Sequence, residues 1–381
     1  MCSSDLTDTE REINLCIEAG DLDRADSLIH TLFAPTDVLQ SNHDALAKID
    51  QQIDQTKDII RQANTDMAAV LKQQENDAEY LYQLYTIALA KYDNEKARYY
   101  IETRAALDTT NLKWQNDTGR FIHDYLADYS TSLNYFQLVL RQSLVQEGEE
   151  SAWVGTAYNN IGGVYSHQGN YPKALEYYSK ALTVWEKVLG MENPDVALSY
   201  NNIGAIYYHQ GDYSKSLEYY SKALIIWEKL QGTEHLDVAL SYNNIGAAYA
   251  EQGNYLKALE YLFKALAIRE KILGKEHPNV ALSYNNIGYV YIEQGDYPKA
   301  LRYHFEALAI REKVLGKEHP DVAQSYNNIG VVYYCQGDHR LALEYLSKSL
   351  AIREKVLGPI HPNTKIVREN IEDVKQEMNA Q

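Results

Sequence analysis

The residues of this chain that could do chemistry are few and regularly spaced. His235, His277, His319 and His361 recur every 42 positions, and imidazole is a common metal ligand. A zinc site, however, needs three or four ligands converging within about 2.0–2.3 Å of one ion. These histidines sit in separate units without a local second ligand, so they read as loop structure and no metal is expected. Cys2, Cys16 and Cys335 lie far apart with no Cys-x-x-Cys spacing, which reads as ordinary free thiols. Carboxylate and lysine neighbours such as Glu270 and Lys271 read as a solvated helix face. The glycines recur singly and do not form a phosphate-cradling cluster after a strand. No catalytic constellation emerges, so neither an enzymatic activity nor a cofactor is expected. One polar pattern stands out: the pairs Asn159-Asn160, Asn201-Asn202, Asn243-Asn244, Asn285-Asn286 and Asn327-Asn328. A carboxamide carries donors and an acceptor together, which equips it to hold a peptide backbone unit.

The elements that must position these pairs follow from the same period. Tyr158, Tyr200, Tyr242, Tyr284 and Tyr326 mark relatives of one motif every 42 residues. Repeats of roughly 20 to 50 residues signal a solenoid, in which no unit can bury its apolar face without its neighbours. Within one unit, Tyr200, Ile203, Gly204 and Tyr207 fall at i, i+3, i+4 and i+7, one face of a first helix. Gln210-Gly211-Asp212 is a turn, with glycine suited to a helix C-terminus. Leu217, Tyr220, Ala223 and Leu224 then mark a second helix ending near Gly232, and Pro278 opens a later first helix. Gly162, Gly204, Gly246, Gly288 and Gly330 are expected to let the two helices of a unit approach, met by Ala174, Ser216, Ala258, Ala300 and Ala342.

The spacing Tyr200, Ile203, Gly204, Tyr207, Ser216, Tyr220, Ala223 resembles the tetratricopeptide repeat. The 42-residue length and the tail Ala267-Ile-Arg-Glu-Lys-Ile-Leu-Gly-Lys-Glu-His-Pro278 resemble the variant of kinesin light chains. The resemblance implies an all-α, right-handed superhelical solenoid of helix-turn-helix repeats, with an N-terminal helical extension, that binds peptides or proteins on its concave side. In that phase Asn159, Asn201, Asn243, Asn285 and Asn327 face the groove, with Tyr208, Tyr289, Ile292 and Tyr334 among the residues selecting the ligand. Asn160, Asn202, Asn244, Asn286 and Asn328 lie nearer the seam between helices and are structural. The expected function is a scaffold gripping an extended or amphipathic segment of a partner.

Five regular units are expected over residues 151–358, two degenerate ones over 77–150 and a capping helix over 359–381, where Arg368 and Glu372 replace the tyrosine and glycine. Residues 1–36 read as a helical hairpin broken at Gly20-Asp21. Residues 37–76 read as a polar heptad-like helix. Its seam is Leu46, Ile49, Ile53, Ile60, Ala63, Met67 and Val70, with Thr56 a weak position. Self-association through residues 39–71, with the array as a spacer, is the alternative role; another is the interaction part of a longer signalling protein. The formal charge is −17, and residues 1–76 hold 15 acids against six bases. An acidic chain without a basic stripe would be repelled by phosphate backbones, so no nucleic-acid partner is expected. No run reaches the roughly 18–20 apolar residues of a membrane span and no signal-peptide pattern opens the chain. Membrane insertion is not expected, and the compartment stays open, cytoplasmic by default.

Overall fold

A computed structural model describes residues 12, 15–16, 21, 23–25, 27–28, 43–91, 93–356 and 358–380, with backbone alone for 43–50 and 380. Every regular element among them is a helix. The expected hairpin over 1–36 lies largely outside the described residues. The chain forms two compact units, residues 1–108 and 109–381.

In the first unit, α1 spans His43–Ala90 and α2 spans Asn94–Leu107. The sequence suggested a break near residue 76. Instead α1 runs through it for 48 residues, because no proline or glycine occurs anywhere in its sequence to interrupt the backbone ladder. The two helices pack on one another, and the small side chains Ala78, Ala88, Ala97 and Ala105 are buried. Asp93 caps α2 by accepting from the Lys96 N–H. Of the heptad seam, Ile53 is buried, whereas Ile60, Met67 and Val70 are exposed.

The second unit is a run of helix pairs. They are α3 (Leu112–Leu126) with α4 (Tyr129–Gln146), α5 (Ala152–His167) with α6 (Tyr171–Leu189), and α7 (Pro194–His209) with α8 (Tyr213–Gln231). Then follow α9 (Leu236–Glu251) with α10 (Tyr255–Leu273), α11 (Pro278–Glu293) with α12 (Tyr297–Leu315), and α13 (Pro320–Cys335) with α14 (His339–Val356). The last helix, α15 (Pro362–Ala380), has no partner after it. Each helix packs on the next in sequence, and neighbouring first helices also touch.

Local chemistry starts and stops these helices. Asn170, Asp212, Asn254 and Asp296 cap the second helices by accepting from the N–H three residues on. The recurrent histidines cap the first helices: Nδ1 of His277, His319 and His361 accepts from the N–H two residues on, at 3.1–3.2 Å. Gly211, with φ +79°, makes the left-handed turn after α7; Ala127 adopts the same region with φ +51° where its unit lacks the glycine.

The mid-helix glycines face large side chains. A Cβ on Gly204 would lie 2.8 Å from the Tyr220 ring and one on Gly246 2.8 Å from Leu262. Glycine here makes room for a bulky residue of the second helix as well as for its backbone. Tyr178, Tyr220, Leu262, His304 and Leu346 fill that position in successive units, all buried. The units are tied by Tyr200, Tyr242, Tyr284 and Tyr326, whose hydroxyls donate to Glu186, Glu228, Glu270 and Glu312 of the preceding unit at 2.5–2.8 Å. Burial first, then the adjacent carboxylate, pushes the Tyr200 hydroxyl up to about 12, so it remains a donor. In α15, Arg368 replaces the tyrosine yet reaches the equivalent partner, Glu354, at 2.7 Å. Val367, Ile371 and Val374 of α15 share a buried cluster with Leu346.

Candidate functional site

One stripe of each first helix is left open. On α7 it comprises Leu198, Asn201, Asn202, Ala205, Tyr208 and His209, at helical spacing, while Val196, Ile203 and Ile206 are buried between helices. At the N-terminal end of the array the stripes border a cavity of about 360 Å³. Its walls include Asn116 and Arg120 of α3, Thr156, Asn159 and Asn160 of α5, and Leu198 of α7. There the stripes of α3, α5 and α7 line a concavity.

The asparagines form a ladder along it. Asn202 Nδ2 donates to Asn159 Oδ1 at 2.9 Å, Asn244 to Asn201 at 2.8 Å, Asn286 to Asn243 at 2.8 Å and Asn370 to Asn327 at 3.4 Å. Asn160 donates to Asn116 in the same way at 2.7 Å. The asparagines expected at the groove and those expected at the seam are hydrogen-bonded to one another. Stacking brings the second asparagine of one unit onto the first of the unit before, so both are tied into the array. Asn243 and Asn285 are buried, at 8% and 7% exposure. Asn159, Asn201 and Asn327 are half-buried.

Behind the ladder lies a second polar layer. Arg269, Arg311 and Arg353 are buried, and burial lowers the pKa of each guanidinium below its ordinary value. Their bonds go to neutral oxygens. Arg269 donates to the Ser283 hydroxyl at 2.7 Å and to Asn243 Oδ1 at 3.4 Å. Arg311 donates to Ser325 at 2.9 Å and the Asp321 carbonyl at 3.0 Å. Arg353 donates to the Asn363 carbonyl and to Gln324 Oε1, both at 2.6 Å. Each arginine thereby fastens the start of the next first helix to the groove floor. Asn285 is the exception in the ladder. With its oxygen turned to Arg311 at 2.7 Å, its nitrogen donates to His304 Nδ1 at 3.0 Å, and Asn328 accepts instead from Gln324.

The tyrosines expected at the groove are brought together unevenly. Tyr208 and Tyr289, from α7 and α11, both donate to Glu251 of α9, at 3.5 and 3.2 Å. Tyr334 donates to Glu377 of α15 at 2.6 Å. Ile292 is half-buried. Three residues the sequence reading passed over complete the stripe: Leu198, Leu240 and Leu282, exposed at 38%, 44% and 41%. Their signal was present, three positions before Asn201, Asn243 and Asn285.

Among the described residues no three His, Cys, Asp or Glu side chains converge as metal ligands, and no helix is long and apolar enough to cross a membrane. Paired helices stacked in register, with their first members lining an open stripe, define an α-solenoid interaction scaffold, a fold that is typically non-catalytic. Matches to the tetratricopeptide repeat family cover residues 121–187, 153–215, 195–271, 237–313, 280–355 and 321–380. The chain belongs to that family, and its 42-residue units are of the kinesin-light-chain-like type. Among solved structures it is similar to BtubC (BKLC) from P. vanneervenii, with 25% identity over 66% of this chain and 94% of that one and a TM-score of 0.50. It is also similar to a Podosopora anserina kinesin light chain with nearly identical TPR-like repeats (25%, 53% and 95%, TM-score 0.46). The apo form of RapI shares the fold, at 20% identity over 73% of this chain and 98% of that one and a TM-score of 0.56. No curated protein sequence matches the chain.

Proposed function

We propose that the first-helix stripe binds an extended segment of a partner protein. The observation that carries this reading is the coincidence, on one open face, of the leucines Leu198, Leu240 and Leu282 with the asparagine ladder. An apolar row beside carboxamides can take alternate side chains and main-chain groups of an extended peptide. Helices packed at roughly 10 Å repeat about every three residues of extended chain, so the partner would present apolar residues at that interval. The carboxamide oxygens of Asn201 and Asn327 are engaged within the array, which leaves their nitrogens for the partner's carbonyls.

The experiment is selection of a displayed random-peptide library on the full chain, followed by rebinding to the L198E/L240E/L282E variant. Selected peptides should lose at least tenfold in affinity. Peptides that bind the variant equally well would sink the groove reading. A second reading concerns α1, whose Ile60, Met67 and Val70 are exposed along one heptad seam; pairing with a second copy would cover them. Light scattering of I60E/M67E beside the wild type tests it, and an unchanged mass in both at high concentration would refute it.

A further inference from the structure

On the second-helix side of the array four units carry a lysine above two tyrosines. Lys180 lies 5.8 and 4.9 Å from the Tyr158 and Tyr177 ring centroids, Lys222 5.8 and 4.8 Å from Tyr200 and Tyr219, Lys264 5.8 and 5.0 Å from Tyr242 and Tyr261, and Lys348 5.9 and 4.6 Å from Tyr326 and Tyr345. Each ammonium also meets a carboxylate of its own helix at 2.6–2.7 Å, from Glu176, Glu218, Glu260 and Glu344 respectively. Four times over, the molecule shows what this arrangement of rings and carboxylate holds: an alkyl ammonium.

The unit of α11 and α12 breaks the pattern by exchanging the charges. Glu306 stands where the lysine belongs and Arg302 where the glutamate belongs. Arg302 covers the Tyr303 ring, at 4.6 Å, but among the described residues no cation lies over Tyr284. Tyr284 still donates to Glu270 at 2.7 Å. Its hydroxyl is pushed up by burial first and then by Glu270, with Glu306 adding to the effect, so both carboxylates act at this ring. Negative charge beside the negative face of an aromatic ring is unfavourable without a cation between them. Here the structure opens a cavity of about 540 Å³, lined by Tyr284, Tyr303, Glu306, Arg302, Lys275, Glu276 and Lys313. Lys313 is engaged with Glu276, which leaves Lys275 and Arg302 as the cations on its wall.

We propose that this cavity receives a lysine side chain of a partner protein, its ammonium over Tyr284 beside Glu306 and acidic neighbours of that lysine facing Lys275 and Arg302. The cavity is far larger than an ammonium head, and its wall carries cations as well as carboxylates. That charge layout fits a lysine flanked by carboxylates better than a free amine. The site lies on helix surfaces distinct from the asparagine stripe, so it stands or falls independently of the groove.

The test follows the tyrosine ring signals of the full, isotope-labelled chain by NMR, with Tyr284 and Tyr303 assigned through their Phe variants. The probe is the peptide acetyl-Glu-Lys-Glu-amide, titrated beside its ε-acetylated form and n-butylammonium. Saturable shifts at Tyr284 are expected with the unmodified peptide, with at least tenfold weaker binding for the acetylated peptide. E306K, which gives this unit the lysine its neighbours carry, should also weaken the unmodified peptide at least tenfold while remaining folded. Equal binding of the acetylated peptide, equal binding by E306K, or no saturable shift in the wild type would overturn the proposal. Butylammonium binding as tight as the peptide would overturn the assignment to a protein partner.

Discussion

Replacing His304 by Leu should remove a specific acid sensitivity from the array. His304 is 1% exposed, packs against Gly288 and sits beside Arg311. Burial first, and the Arg311 charge second, lower its pKa to about 4. In an unfolded chain the imidazole would titrate near about 6.5. The sign follows directly: above pH 6.5 both states are neutral, and as pH falls toward 4 only the unfolded state gains the proton, so stability is lost over that window. At about 1.36 kcal/mol per pKa unit, this one residue should cost roughly 2 kcal/mol between pH 7 and pH 5. Leucine fills the equivalent position at Leu262 and Leu346, both against glycine, so H304L should fold, less stable at pH 7 by about 1–3 kcal/mol because the buried Asn285 nitrogen loses its acceptor. Urea melts followed by circular dichroism at the two pH values, for both proteins, isolate the residue from the carboxylates titrating nearby. If wild type and H304L lose the same stability between pH 7 and 5, the buried neutral histidine is not what the structure makes it.

Three further outcomes are expected. Gly246→Leu should destabilise the array by about 1–3 kcal/mol, since a Cβ there already lies 2.8 Å from Leu262 and 3.1 Å from the Ala258 carbonyl oxygen; an unchanged melting midpoint would contradict the close packing. Ala127→Gly should stabilise by about 0.5–1 kcal/mol, the relief of a left-handed alanine outweighing the entropy of a new glycine, and a lower midpoint would count against that reading. The Cys335 thiol is raised by burial first and by Glu293 second, so Glu293→Gln should speed its alkylation at pH 8, read by mass spectrometry of the Cys335 peptide; an unchanged rate would exclude Glu293 as a cause.

The period made most of the second unit legible. Tyr200, Ile203, Gly204 and Tyr207 define a helix face by spacing alone, and Gly211 and Pro278 punctuate the chain for reasons local to their backbones. The length of α1 was harder to read, because the repeat phase suggested a unit boundary near residue 76 while nothing in the sequence there could end a helix. The bonds between the asparagines were not legible for a different reason. Adjacent residues on a helix point about 100° apart, so the phase of Asn201 and Asn202 suggested different faces. Their pairing depends on a neighbour 43 residues away, and a single unit's pattern does not contain that relation. Arg269, to which the sequence reading gave no role, is buried because the start of the next first helix offers it the Asn279 carbonyl and the Ser283 hydroxyl.

Each rung of the asparagine ladder uses one donor from a later unit and one acceptor from the unit before it. Any unit bearing both residues can therefore follow any other, as a coupling with the same fitting at every joint. Gain or loss of whole units by duplication or deletion of the coding segment would leave no fitting unmatched, and the array could change length without redesign of its joints. One joint is different. Between α11 and α13 the fitting is missing, since Asn285 is turned to His304 and Arg311 and Asn328 to Gln324. The units that meet there are matched to each other through that substitute, so a length change across this joint would have to carry both of them together.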